Sequence, residues 1–122
     1  MKITTIQNGE RNKILHVFID DSGEIVDGQI SNPDDDGGEK YTLKSITYAL
    51  TGFKANLKFE YLQSDTFIWV LPEGISEEVC FDRYSGIKDR NGLDGSGRIL
   101  IDTVGIVAGD KSAGSLIIHL TK

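Results

Sequence analysis

Cysteine is nearly absent from this 122-residue chain, and the lone thiol, Cys80, excludes an intrachain disulfide. It lies in Val79-Cys80-Phe81, where a buried, unreactive thiol is expected. A nucleophile would need a base, and the only histidines, His16 and His119, are far away in sequence. One cysteine and two separated histidines also give no ligand set for zinc. No apolar run approaches the ~18 residues of a membrane span, so no membrane partner is expected. Met1 to Thr5 lacks the apolar segment of a signal peptide, and folding in a cytoplasm is expected. Basic residues are outnumbered 13 to 19, giving a net charge of −6 that repels phosphate backbones and disfavours nucleic acid.

Catalytic motifs are missing as well. There is no Gly-x-Ser-x-Gly elbow, and the glycine-rich Gly92 to Arg98 lacks the Lys-Ser/Thr of a phosphate loop and runs into a strand. With 19 acidic residues, carboxylate pairs of the glycosidase kind arise by chance and specify nothing. The expectation is a protein that is not an enzyme and carries no cofactor.

What the chain does have is a period of two. Leu15, Val17 and Ile19 fall on one face, as do Leu57, Phe59 and Tyr61, Ile99 and Ile101, and Leu116, Ile118 and Leu120, while Leu43, Ser45, Thr47 and Ala49 are read as opposing Thr42, Lys44, Ile46, Tyr48 and Leu50. This alternation, in windows rich in Ile, Val, Thr, Tyr and Phe, argues half-buried strands. Phe67, Trp69 and Leu71 are expected to share a face, with Trp69 in the core. Turn signals at Asp21-Ser22-Gly23, Asn32-Pro33, Asp36-Gly37-Gly38, Thr51-Gly52, Pro72-Glu73-Gly74 and Ala108-Gly109-Asp110 separate about eight or nine strand windows. These fall near residues 2–7, 13–20, 24–30, 41–51, 54–63, 66–71, 78–82, 97–105 and 114–121, with a short helical turn allowed around Ser76-Glu77-Glu78. The fold class expected is all-β: one antiparallel β-sandwich over residues 1–122, jelly-roll-like, with negligible helix.

Two loops carry unusual chemistry. Ser31 to Lys40 contains Asp34, Asp35, Asp36 and Glu39; Asp82 to Gly97 contains Asp82, Asp89, Asn91 and Asp94 among four glycines. Asp89 to Gly95 begins like a calcium loop, but its fifth position is Leu93 and its twelfth is Leu100, where a bidentate Glu is required. Solvated acidic loops and no metal are therefore expected. The glycine-rich loop is the candidate contact surface, because such a loop at one end of a sandwich can mould to a partner. Its candidate residues are Tyr84, Ser85, Ile87, Lys88, Arg90, Asn91 and Leu93. Sugar binding is the alternative, with Trp69, Tyr48, Tyr61 and Tyr84 as a possible aromatic platform.

Several local patterns occur together and in order from Tyr41 to Lys122. They are Ile46 to Phe53, Leu57 to Tyr61, Trp69-Val70-Leu71-Pro72, Phe81 to Ile87, Gly95 to Gly105, and the closing Ser115 to Lys122. In this combination the chain resembles small β-rich virion structural proteins of marine tailed bacteriophages. Ser85 and Ile87 stand where that pattern carries Gly and Leu, and Asp34-Asp35-Asp36 has no counterpart in it. The resemblance implies a decoration or cement protein on the capsid surface of the virion, made in the host bacterial cytoplasm and bound to the major capsid protein. It also implies a homo-oligomer, a trimer by capsid symmetry. The alternative within the resemblance is a carbohydrate-binding or adaptor module of a tail, neck or fibre.

Overall fold

A computed structural model describes residues 1–61, 65–82, 85–92, 95–107, 109 and 111–122, with the backbone alone at 75–76. Ten strands follow in order: β1 (Lys2–Asn8), β2 (Asn12–Ile19), β3 (Gly28–Ser31), β4 (Thr42–Thr51), β5 (Lys54–Tyr61), β6 (Thr66–Leu71), β7 (Gly74–Cys80), β8 (Ile87–Lys88), β9 (Gly95–Val104) and β10 (Ala113–Thr121). The only helical element among the described residues is a 3₁₀ turn at Pro33–Asp36. Asn32 caps it, its side chain accepting from the Asp34 N–H.

The strands form two antiparallel sheets. One runs β1-β2-β10-β4-β7, with β8 also paired to β4; the other runs β3-β9-β5-β6. Leaving out β1 and β8, the chain changes sheet at every connection except β5 to β6. Eight strands in the orders β2-β10-β4-β7 and β3-β9-β5-β6 are the two interlocked Greek keys of a jelly roll. The all-β sandwich expected from the period of two is what the chain forms.

The inner faces of both sheets make one core. Leu15, Val17, Ile19, Leu57, Phe59, Leu71, Ile99, Ile101, Leu116, Ile118 and Leu120 are all buried, as expected. Trp69 is not: it remains 42% exposed. The reason is a bulge in the edge strand β6. Leu57 pairs with Trp69, but the next residue, Lys58, pairs with Phe67, so Ile68 is the extra residue. Trp69 thus lies across from Leu57 at the rim of the core, set edge-on against buried Phe81 at 5.3 Å. Phe67 swings to the outer face beside Lys58, so Phe67, Trp69 and Leu71 do not share a buried face.

Other departures have similarly local causes. A register shift near Lys44 reverses the alternation in β4, and Ile46, Tyr48 and Leu50 face inward after Leu43. Ser76 to Glu78 belongs to strand β7, not to a helical turn. Cys80 is exposed, because Val79 and Phe81 take the inward positions on either side of it. The strand expected near 24–30 starts only at Gly28, after Asp27 adopts a left-handed φ of 52°.

Candidate functional site

The jelly-roll topology gathers the loops at two ends. The β2–β3, β4–β5, β6–β7 and β9–β10 connections meet at one end; the β3–β4, β5–β6 and β7–β9 connections meet at the other. The candidate contact loop, between β7 and β9, is at the second end, together with the acidic segment that follows β3.

That contact loop is less free than its glycines suggest. Asp89 is buried, and one carboxylate oxygen accepts from the Asn91 N–H at 3.0 Å and from Asn91 Nδ2 at 2.9 Å. The other accepts from the Gly97 N–H at 3.0 Å and faces Lys40 Nζ at 3.7 Å. Lys40 in turn donates to the Gly92 carbonyl, and Asn91 Nδ2 donates to Thr66 Oγ1 at 2.6 Å. A carboxylate with both oxygens engaged by donors is a staple of the loop. At Gly86, φ is +86° and an added Cβ would lie 2.4 Å from the Thr42 methyl group, so the backbone there must press against β4.

Of the seven candidate contact residues, Tyr84 and Leu93 lie outside the described residues. Asn91 is tied down as described. Ile87 is half-buried, packs on the core and pairs with Leu43, so it is a poor contact residue. Ser85, Lys88 and Arg90 are exposed. An exposed Lys on strand β8, paired with Thr42 of β4, and an exposed Arg two residues on thus lie beside the pinned segment, on a chain that is acidic as a whole.

The acidic segment is also a structural device. Asp36 accepts from Lys13 Nζ at 2.6 Å, from the Tyr41 hydroxyl, and from Asn8 Nδ2 at 3.1 Å. Lys122 Nζ approaches to 3.5 Å. Lys13 and Tyr41 are buried, with the ammonium 5.4 Å from the centre of the Tyr41 ring. The Lys13 ammonium, with the Tyr41 hydroxyl second, holds the Asp36 carboxyl well below the usual carboxylate range. Burial, reinforced by the Asp36 charge, raises the Tyr41 phenol above its ordinary value. One side chain thus joins the segment after β3 to β1, β2 and the end of β10. The expectation of a merely solvated acidic loop holds for exposed Asp34 and Asp35 but fails for Asp36.

The two outer sheet faces differ in chemistry. On β3-β9-β5-β6, Lys58 binds Asp27, Asp102 at 2.9 Å and Asp65 at 3.0 Å. Burial works against its charge, but the three carboxylates outweigh that and raise the Lys58 pKa. Arg98 and Glu60 add a further pair on this face at 3.6 Å. The outer face of β1-β2-β10-β4-β7 carries a single charge on its three central strands, Lys44 at the bulge near the start of β4, which is paired with Asp82 at 3.9 Å. There β2 presents Ile14, His16 and Phe18; β10 presents Ser115, Ile117 and His119; β4 presents Ser45, Thr47 and Ala49. Phe18 and Ile117 are 44% and 42% exposed. Both histidines on it are partnered, His16 Nε2 with Ser115 Oγ at 2.7 Å and His119 Nε2 with Asn12 Oδ1 at 2.9 Å.

One nucleophile–base pair and one groove stand out among the described residues. The Ser115–His16 contact has nucleophile–base spacing, but no third side chain orients His16, and the flanking strand amides are engaged in the β2–β10–β4 ladders. No group of three or more His, Cys, Asp or Glu is placed to hold a metal among the described residues. A shallow groove of about 330 Å³ at the first loop end is lined by Phe53, Pro72, Val104 and Glu73, whose carboxylate accepts from the Gly52 N–H at 2.9 Å. No protein-family model matches the chain, and neither the curated proteins nor the solved structures yield a match.

Proposed function

We propose that this chain is a non-enzymatic structural subunit that decorates a protein shell, the outer capsid of a tailed bacteriophage. The observation that supports it best is the way the charged groups are engaged. Asp36, Asp89 and the Lys58 cluster are spent on ion pairs and hydrogen bonds within the jelly roll itself. Such a domain suits attachment better than turnover. The resemblance over Tyr41 to Lys122 names the shell, and jelly rolls recur in viral capsid domains. The exposed basic residues Lys88, on β8, and Arg90, just after it, are the part offered to an acidic patch on the major capsid protein.

Quantitative mass spectrometry of purified particles tests the reading. Hundreds of copies, near the number of major capsid subunits, are expected. About six to twelve copies would instead place the chain in a portal or tail ring, where closed cyclic symmetry sets the number. Lys88→Glu with Arg90→Glu should weaken rebinding to particles stripped of the protein by on the order of tenfold or more, chiefly through slower association. Unaltered rebinding would remove these two residues from the contact.

Trp69 favours a second reading, a glycan-binding module of a tail or fibre. It is 42% exposed at the rim of the core, and lectin domains also use the jelly roll. Tyr48, by contrast, is buried and leaves the aromatic platform. Glycan-array binding that disappears in Trp69→Ala, with an unchanged circular dichroism spectrum, is the result this reading requires. An array blank for the intact protein removes it.

A further inference from the structure

We infer that the outer face of the β1-β2-β10-β4-β7 sheet, neutral at its centre, is a self-association surface that pairs with the same face of a second copy. This goes beyond shell attachment, which is proposed for the loop end.

The first argument is electrostatic. A chain of net charge −6 repels its own copies over most of its surface. The opposite sheet face would set Asp27, Asp65, Asp102 and Glu60 against their own images. Only the β2-β10-β4 face avoids that, because its one charge, Lys44 at the end of β4, is paired with Asp82. Apolar side chains exposed on it, Phe18 and Ile117, sit in adjacent strands.

Desolvation is the second argument. Burying a polar group without a partner is costly. Here His16 is already bonded to Ser115 and His119 to Asn12, so another face can cover them without orphaning those bonds.

The third argument is charge complementarity at the margins. Lys2 on β1 and Glu78 on β7 are exposed and lie on opposite edges of the face. Lys2 pairs with Phe18, and Glu78 pairs with Thr47, whose row runs through Ile117 and His16 to Thr4. A two-fold axis parallel to the strands lays β1 of each copy over β7 of the other. Lys2 then meets the partner copy's acidic edge one row away, about 7 Å along the strands and within reach of a lysine stem. Two such contacts arise per dimer.

The size is sufficient. Five strands about 4.8 Å apart and about 26 Å long give a face of roughly 600 Å², and pairing two of them buries at least about 1,200 Å², the lower bound of a specific interface. An isologous pairing of this kind closes as a dimer, whereas the virion resemblance implies a trimer.

Sedimentation velocity on the intact protein at about 100 μM decides it. The expected species has twice the 13.4 kDa chain mass. Ile117→Asp should raise the dissociation constant on the order of 100-fold by burying an unpaired carboxylate, while the circular dichroism spectrum stays unchanged. Lys2→Glu should weaken the dimer about tenfold, and Lys2→Glu with Glu78→Lys should restore it. Should Ile117→Asp fail to fold, the charge-reversal pair alone decides, because both positions are exposed on edge strands. A monomer at millimolar concentration overturns the inference. So does an oligomer, trimer included, that ignores these substitutions. None of these outcomes depends on particle copy number, so self-pairing and shell decoration stand or fall separately.

Discussion

Ile118→Ala should lower the unfolding free energy by roughly 2–5 kcal/mol, the usual range for truncating a fully buried isoleucine. Ile118 is fully buried in β10, the strand between β2 and β4, and its register partners Leu15 and Ile46 are buried too. A cavity there is walled by core from both sheets and by two ladders, so the surroundings have little freedom to collapse into it. Ile101→Ala, in the centre of the opposite sheet, should cost a similar amount. Val104→Ala, three residues along the same strand but 45% exposed, should stay within about 0.5 kcal/mol of the parent. A domain of this size is stable by about 5–15 kcal/mol, so the core losses should appear as large shifts in the urea midpoint at constant slope. Equal midpoints for Ile118→Ala, Ile101→Ala and Val104→Ala would mean the two faces of these strands are assigned the wrong way round.

The faces of those strands are legible because a residue in a regular strand has its direction fixed by parity. Leu15, Val17 and Ile19 need no tertiary information to be placed inside. Parity fails where a ladder slips, and the failures of sequence reading cluster there. Trp69 and Phe67 were assigned together, yet one extra residue in β6 separates them onto different faces. A slip near Lys44 turns β4 over in the same way. β8 has only two residues, too few to show any period. The staples were hidden for a different reason. Asp36 and Asp89 look like members of solvated acidic loops, because local composition is all that a sequence shows. Their partners Lys13 and Gly97 are 23 and 8 residues away, and only the closed fold brings them within bonding distance. The glycine-rich excursion between β7 and β9 was legible in the sequence, but Asp89 pins it and Gly86 presses it against β4, whereas sequence reading took its glycines as a source of adaptability. The neutral centre of the β1-β2-β10-β4-β7 outer face was implicit in the alternation of β2 and β10. Recognising it as one surface required the order β2-β10-β4, which no spacing within the chain discloses.

Asp36→Ala should be the most damaging substitution of a charged residue among the described positions, at about 3 kcal/mol. Removing the carboxylate leaves the Lys13 ammonium, 7% exposed, facing the Tyr41 hydroxyl and ring with no anion beside it. It also unties the 3₁₀ turn from β1, β2 and the end of β10 at once. Breaking one side of a buried pair costs more than the pair contributes, because the remaining charge stays desolvated. Asp35→Ala, at the exposed neighbouring position of the same acidic run, should change stability by no more than about 0.5 kcal/mol. The pH dependence gives an independent signature. The folded Asp36 carboxyl titrates below its unfolded value, so the unfolded chain takes up the proton first as pH falls. The stability contributed by ionised Asp36 is therefore complete above the ordinary Asp pKa of about 3.9 and is lost as pH drops through that value toward the lower, folded one. Chemical denaturation at pH 7 and at about pH 2.5 should show the gap between parent and Asp36→Ala narrowing in acid. A gap that stays constant across that range, or an Asp35→Ala loss equal to that of Asp36→Ala, would make the run a solvated loop and leave Lys13 and Tyr41 to be held by packing alone.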